Sequence, residues 1–210
     1  MTQATASPSR SSACDRRVAK TRAALRSALI DLVVERGLAG ISVGDLCARA
    51  DVTRTTFYNH FKSKEELVES IEDEIIAELE GIQARMATLD MLQAALCVKR
   101  RKPLPILVDL FDYLRGEGDF LCAVMGPGGD VRFERRLRER VCTTLRDSVL
   151  HKRYRESQDS FVDYYVVFYA SAYLGVVERW LETGMRQDSE HMARIAQRLL
   201  FIKPGESIEL

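Results

Sequence analysis

Apolar positions return along this chain mostly at spacings of three, four and seven. Val18, Leu25, Leu29, Leu32 and Val33 make one stripe, the pattern of an amphipathic helix. The stripe predicts a first helix from about Asp15, ending near Gly37, a residue suited to a left-handed cap. Residues 1–14 are Ser-, Thr- and Ala-rich without periodicity and read as a flexible tail. After the bridge Leu38–Ile41, Ser42 is a good N-cap and Asp45 adds an acid in the first turn, so a helix of about two turns follows. Asp51 and Val52 interrupt it. Thr53 then caps a third helix, and Ser63 with Glu66 forms a capping box for a fourth. Leu67, Ile71, Ile75 and Leu79 carry that fourth helix to about Gly81.

Further helices are predicted at about 86–98, 104–116, 118–125, 130–150, 158–183 and 188–201. Pro103, Pro105 and the turn Gly126-Pro127-Gly128-Gly129 punctuate them. Strand-like alternation is scarce, so the expectation is an all-α chain of nine or ten helices. A tail at 1–14, a first unit at 15–66 and a second unit at 67–210 are the expected divisions.

Composition narrows the function. The 210 residues are 46% hydrophobic, enough to bury a core. No run approaches the ~18 uninterrupted apolar residues of a membrane span, and the N-terminus lacks the apolar centre of a secretory signal. The five cysteines (Cys14, Cys47, Cys97, Cys122, Cys142) are widely spaced without a CxxC or Cys/His pair, so no metal site or disulfide framework is expected. Reduced thiols fit a cytoplasmic protein. His60, His151 and His191 lie far apart, and no nucleophile–base pairing stands out, so neither an enzyme nor a cofactor is expected. The turn at 126–129 lacks the spacing of a phosphate loop, and the run Lys99-Arg100-Arg101-Lys102 reads as a solvated connection.

The short helices hold the chemistry. Two of them joined by a tight turn, behind a longer one, suggest a helix-turn-helix whose second member enters the major groove of DNA. Leu46, Val52, Phe57 and Phe61 suit its inner face, leaving Thr53, Arg54, Thr55, Tyr58, Asn59 and His60 on outer positions. Arg54 can fork onto guanine, Thr55 can meet a thymine methyl, and Asn59 can read adenine or the backbone. Ser42, Thr56, Tyr58 and His60 can hydrogen-bond phosphates, and Lys64 can neutralise one. Each has a structural reading beside it: Tyr58 as partly core, His60 as filler or cap, Arg54 as a solvated charge, Lys64 as a support of its own helix.

Residues 41–67, ISVGDLCARADVTRTTFYNHFKSKEEL, resemble the DNA-binding segment of the TetR family of bacterial transcriptional regulators. Val52, Thr53, Thr56, Phe57, Tyr58, His60, Phe61, Ser63, Lys64, Glu65 and Leu67 fill that family's pattern in register. The resemblance implies a two-fold dimer on a near-palindromic operator, with Arg54, Thr55 and Tyr58 at base-reading positions and Ser42, Thr56, Asn59, His60 and Lys64 at backbone positions. Thr55 departs from the small residue many members carry. Gly44 leaves the second helix without a long side chain, so base reading rests on the third.

Two later stretches, FLCAVMGPGGDVRFERRLRERV and YASAYLGVVERWLETGMRQDSEHMARIAQRLL, resemble the regulatory region of a subgroup tied to dihydroxyacetone kinase operons. The family implies an effector-controlled regulator, most often a repressor; the subgroup leaves open an activator with a protein partner. The aromatics of 161–180 occupy nearly every side of their helix, which implies extensive burial. With the last helix they suit a subunit interface, an internal core or a ligand pocket. The candidate interface residues are Phe161, Tyr165, Phe168, Ala172, Gly175, Val176, Ile195 and Leu199.

Charge also changes meaning when divided. The 31 basic and 31 acidic residues cancel over the whole chain. Residues 1–66 nevertheless hold eleven Lys and Arg against seven Asp and Glu, so a basic head is balanced by an acidic body.

Overall fold

The computed structural model describes residues 10–88, 96, 97, 99, 100, 102–126, 128–149 and 160–201. Within them the chain is all-helical. In order come α1 (Arg10–Arg36), a short turn of tighter helix (Leu38–Gly40), α2 (Val43–Arg49), α3 (Arg54–Tyr58), α4 (Lys64–Ala87), α5 (Pro105–Gly116), α6 (Gly118–Met125), α7 (Val131–Thr144), a wider helical turn (Leu145–Val149), α8 (Ser160–Glu182) and α9 (Ser189–Phe201). The expected helix at 86–98 lies mostly outside the described residues.

Two boundaries differ from the expectation. Helix α1 begins at Arg10, five residues before the start expected near Asp15. No Gly or Pro interrupts the chain between Pro8 and Gly37, and nothing local stops the helix earlier. Helix α4 runs through Gly81 to Ala87. Ile82, next to that glycine, is 2% exposed, and its burial offsets the modest cost of a mid-helix glycine.

The chain forms two compact units, with the division at Ile71/Glu72 inside α4. The first unit is built on α1, whose Leu25, Ala28, Leu29, Leu32 and Val33 are buried, as are Ile41, Leu46, Phe57, Phe61, Leu67, Val68 and Ile71. Gly37 ends α1 with φ of 70°, in the region only glycine enters freely. The loop residues Gly128 and Gly129 belong to this unit: Leu38 N donates to Gly128 O at 2.8 Å, and a Cβ on Gly128 would meet Gly37 Cα at 3.3 Å. The glycine turn is thus a helix connection seated on backbone.

The second unit packs α5 to α9 with the rest of α4. Phe111 and Trp180 meet edge to face at 5.4 Å, and Phe120 and Phe133 at 6.5 Å. Buried Gln197 supports the start of α5, accepting from Leu104 N at 2.9 Å and donating to Lys102 O at 3.3 Å. Basic α7 faces acidic α4: Arg136 reaches Asp73 at 2.6 Å and Glu72 at 3.4 Å, and Arg140 reaches Glu80 at 3.0 Å. A cavity of about 390 Å³ lies inside this unit.

Candidate nucleic-acid interface

The first unit assembles its outer helices from local capping. Asp45 N donates to Ser42 Oγ at 3.2 Å while Ser42 N donates to Asp45 Oδ2 at 2.9 Å, a reciprocal cap that fixes the start of α2. The Ser42 hydroxyl also donates to Asp45 at 2.6 Å. These bonds from Ser42, then the Arg36 guanidinium, hold the Asp45 carboxyl below its usual range. At its other end α2 is tied to α1: Arg49 forks onto Glu35 at 2.7 and 2.9 Å and reaches Asp31 at 3.3 Å. Leu46 and Cys47 point inward, and burial pushes the Cys47 thiol up, which keeps it a packing residue.

The turn between α2 and α3 passes through Asp51 at φ 53°, a conformation Asp tolerates better than most residues. Thr53 then caps α3, accepting from Thr56 N at 3.1 Å, with the two threonine hydroxyls 2.9 Å apart. Helix α3 has five residues, too few to persist alone, so tertiary contacts must hold it. Phe57, wholly buried, anchors it. It touches Phe61 at 5.9 Å between ring centroids and Tyr58 edge to face at 5.5 Å. Arg22 of α1 lies 5.3 Å from the Phe61 ring centroid and donates to Ser70 at 2.6 Å, closing the underside.

With Phe57 inward, Arg54, Thr55, Tyr58 and Asn59 face outward together, joined by Thr53 at the helix start. Tyr58 is 56% exposed despite its ring contact, so the partly-core reading accounts for only one edge of it. Thr56 and His60 are half-buried, His60 with its ring 6.3 Å from that of Phe61. Ser42 is exposed, with its hydroxyl engaged in the cap.

Lys64 differs from the expectation of an open phosphate ligand. Its ammonium donates to Leu38 O at 2.8 Å and Ile41 O at 2.9 Å, its side chain is 15% exposed, and Glu65 lies 3.8 Å away. It stitches the bridge before α2 to the start of α4. Beside it Glu66 N donates to Ser63 Oγ at 3.2 Å. The Glu66 carboxylate accepts from the amide of Lys62, one residue before the position a capping box predicts.

Sequence reasoning also missed the partnership of Arg54 with Gly44. A Cβ at position 44 would sit 2.8 Å from an Arg54 guanidinium nitrogen. The absence of a side chain on α2 gives Arg54 its resting place. Glycine at 44 was visible as a missing long side chain, but only the crossing of the helices shows what fills the space.

In the second unit, α8 divides into two faces. Val162, Val166, Ala170, Leu174, Trp180 and Leu181 are buried. Phe161 is 69% exposed and Phe168 67%, with Tyr164, Tyr165, Val167, Ala172 and Gly175 also exposed. Val176 and Ile195 are half-buried, and Leu199 is exposed. The expected burial on nearly every side is therefore corrected: within one chain, half of the aromatic belt faces out. By length and composition α8 could cross a membrane, with mean hydropathy 1.3 over its best window. Its Asp163, Glu178 and Arg179 interrupt the apolar run. Among the described residues no three His, Cys, Asp or Glu side chains cluster to hold a metal.

Comparison with known proteins bears on both units. A model described as bacterial regulatory proteins of the tetR family matches residues 25–71, and one described as a transcriptional regulator C-terminal region matches residues 101–201. The HTH-type transcriptional regulator YxbF of Bacillus subtilis is 39% identical over 66 residues, 31% of this chain and 17% of that protein. The HTH-type transcriptional repressor Rv3405c of Mycobacterium tuberculosis is 34% identical over 74 residues, 35% of this chain and 39% of that one. The chain thus spans 17% and 39% of the length of these curated relatives. Among solved structures, the dihydroxyacetone kinase operon activator DhaS has a TM-score of 0.55 at 22% identity, covering 86% of this chain and 93% of its own, a likeness of fold. With one family model on each side of the division inside α4, and an all-helical fold shared with a solved regulator, the chain belongs to the TetR family of bacterial transcriptional regulators.

Proposed function

We propose that this chain is a cytoplasmic, dimeric, sequence-specific DNA-binding regulator that lays α3 in the major groove of each half of a near-palindromic operator. One observation carries the reading: Arg54, Thr55, Tyr58 and Asn59 form an outward row on a helix whose inward side is buried Phe57. A guanidinium, a methyl-bearing hydroxyl, a phenol and an amide are the groups that read base edges and phosphates. Thr53, Thr56, His60 and Ser42 surround the row and serve the backbone. Lys64 acts by fixing the bridge before α2, holding donors in place for the phosphates.

Dimerisation would pair the exposed face of α8 at Phe161, Tyr165, Phe168, Ala172 and Gly175 with α9 at Ile195 and Leu199, and with the same surfaces of a second copy. Exposed aromatics and small residues on one long helix suit an isologous four-helix contact. Val176 flanks it. Repression fits the match to Rv3405c, and control by a ligand of the second unit fits its cavity. An effector would act by binding one dimer geometry better than the other.

The test is binding of the full chain to DNA from upstream of its own gene, against a shuffled duplex of equal length. Arg54→Ala is expected to cut discrimination at one base step by ~1–3 kcal/mol while leaving non-specific affinity nearly unchanged. Equal discrimination by Arg54→Ala and the parent would refute the assignment of base reading to this row.

A further inference from the structure

We infer that the cavity of the second unit receives a small, uncharged, largely apolar molecule whose one hydrogen-bonding group meets the hydroxyl row of Tyr165, Tyr169 and Tyr173. This rests on the reading of that unit as the effector-binding part of a regulator and adds the chemistry of the effector.

Size comes first. The volume of about 390 Å³ lies within the ~300–1,000 Å³ of small-molecule sites. The lining decides the chemistry. Fifteen of the lining side chains are aliphatic, aromatic or thioether, among them Leu110, Phe111, Leu137 and Val141. The other five of the described lining residues are Gln83, Thr144 and the three tyrosines. Among the described residues no Lys, Arg, His, Asp or Glu lines it. A carboxylate, phosphate or ammonium brought inside would lose its hydration and find no counter-charge among the described lining residues, which disfavours charged ligands. Water is an equally poor occupant, because a space this apolar gives few molecules the two to four polar partners each needs.

The polar groups are not scattered. Tyr165, Tyr169 and Tyr173 follow one another at spacing four on α8, so they stand above one another on a single wall. The rings of Tyr165 and Tyr169 are 4.5 Å apart between centroids. Tyr173 is the most enclosed of the three; burial, then the neighbouring Tyr169 and Tyr165, pushes its phenol well above the usual range. It therefore stays a neutral donor at any physiological pH. Among the described residues no hydrogen bond occupies its hydroxyl. A carbonyl, ether or hydroxyl on an otherwise apolar ligand is the complement of that wall. The helix that carries the row also carries the exposed Phe161, Tyr164 and Phe168, so a molecule seated there touches the element that presents the proposed subunit face.

The experiment titrates the full-length protein with two fluorescent probes that share one ring system, neutral N-phenylnaphthylamine and its anionic relative anilinonaphthalene sulfonate. The neutral probe is expected to bind once per chain and at least roughly tenfold more tightly. Leu110→Trp, which fills the cavity, is expected to abolish that binding with an unchanged melting curve; if it melts early, Val141→Phe serves instead. Tyr173→Phe is expected to weaken the neutral carbonyl probe prodan about three- to tenfold, the loss of one hydrogen bond. Equal affinity for the two naphthalene probes, or neutral binding that survives a filled cavity, would overturn the inference. Operator binding is measured on the same preparation. Its failure would count against the regulatory reading, while the probes judge the cavity separately.

Discussion

Glu72 is the second unit's most consequential ionisable group. It is 1% exposed; Arg136 lies 3.4 Å from Oε2, and among the described residues Oε1 has no hydrogen-bond partner. Burial pushes its carboxyl from the usual 4.5 to about 7; Arg136 opposes that push, and Asp130 adds to it. Because the folded value is raised, the folded protein holds a proton more tightly than the unfolded chain does. The associated stability is complete below pH 4.5 and is lost as pH rises through 7. A rise of about 2.5 pH units, at ~1.36 kcal/mol each, makes the difference of order 3 kcal/mol. The perturbation is Glu72→Gln, which keeps the shape of the neutral acid. Denaturant melts of parent and variant at one protein concentration, from about pH 5 to 8, give the difference curve, in which the other titrating groups cancel. The two proteins are expected to match within ~1 kcal/mol at the acid end, with the variant more stable by up to ~3 kcal/mol at the basic end. A difference that stays flat across that range would refute the raised carboxyl.

Lys64→Met should destabilise the protein by ~1–3 kcal/mol in thermal or denaturant melts, because two carbonyls lose a charged donor. Its salt slope of DNA binding should fall by less than one; unchanged stability with a slope reduced by about one would restore Lys64 as a phosphate ligand. Phe168→Glu should weaken self-association at least roughly tenfold in sedimentation experiments, since a charge would enter the centre of the proposed contact. A parent chain that sediments as a monomer at micromolar concentration would sink the dimer itself. Gly44→Ala should raise stability by up to ~1 kcal/mol through helix propensity yet alter base preference, because the new Cβ displaces Arg54. Selection from a randomised operator reports the second effect, and an unchanged preferred sequence would count against it.

Much of the fold was legible. The stripe at Leu25, Leu29 and Leu32, the caps at Ser42 and Thr53, and the glycine at 37 are local signals, and local signals survive into the structure. The ends of α1 and α4 were harder. Residues 10–14 have no stripe, and Gly81 looks like a stop until its buried neighbour Ile82 is seen. For the candidate interface, the outer row of α3 followed from Phe57 and Phe61 as its inner side. The roles of Lys64, Arg49 and Gly44 did not follow, because each depends on which backbone or side chain another helix brings near. The two-faced character of α8 was hidden for a related reason: an aromatic that packs against its own chain and one that awaits another look alike in sequence.

Gly44 has one more consequence. The space it leaves is where Arg54 rests, although position 44 belongs to α2, the helix to which the proposed function gives no base-reading side chain. A single methyl at that position would shift the pointer without removing it. With Arg54 reading a base as proposed, operator preference can therefore drift through changes that leave every residue of the row intact. Two descendants of this protein could share the whole row from Thr53 to Asn59 and still answer to different sites, so a comparison of recognition helices alone would misjudge which of them can stand in for the other.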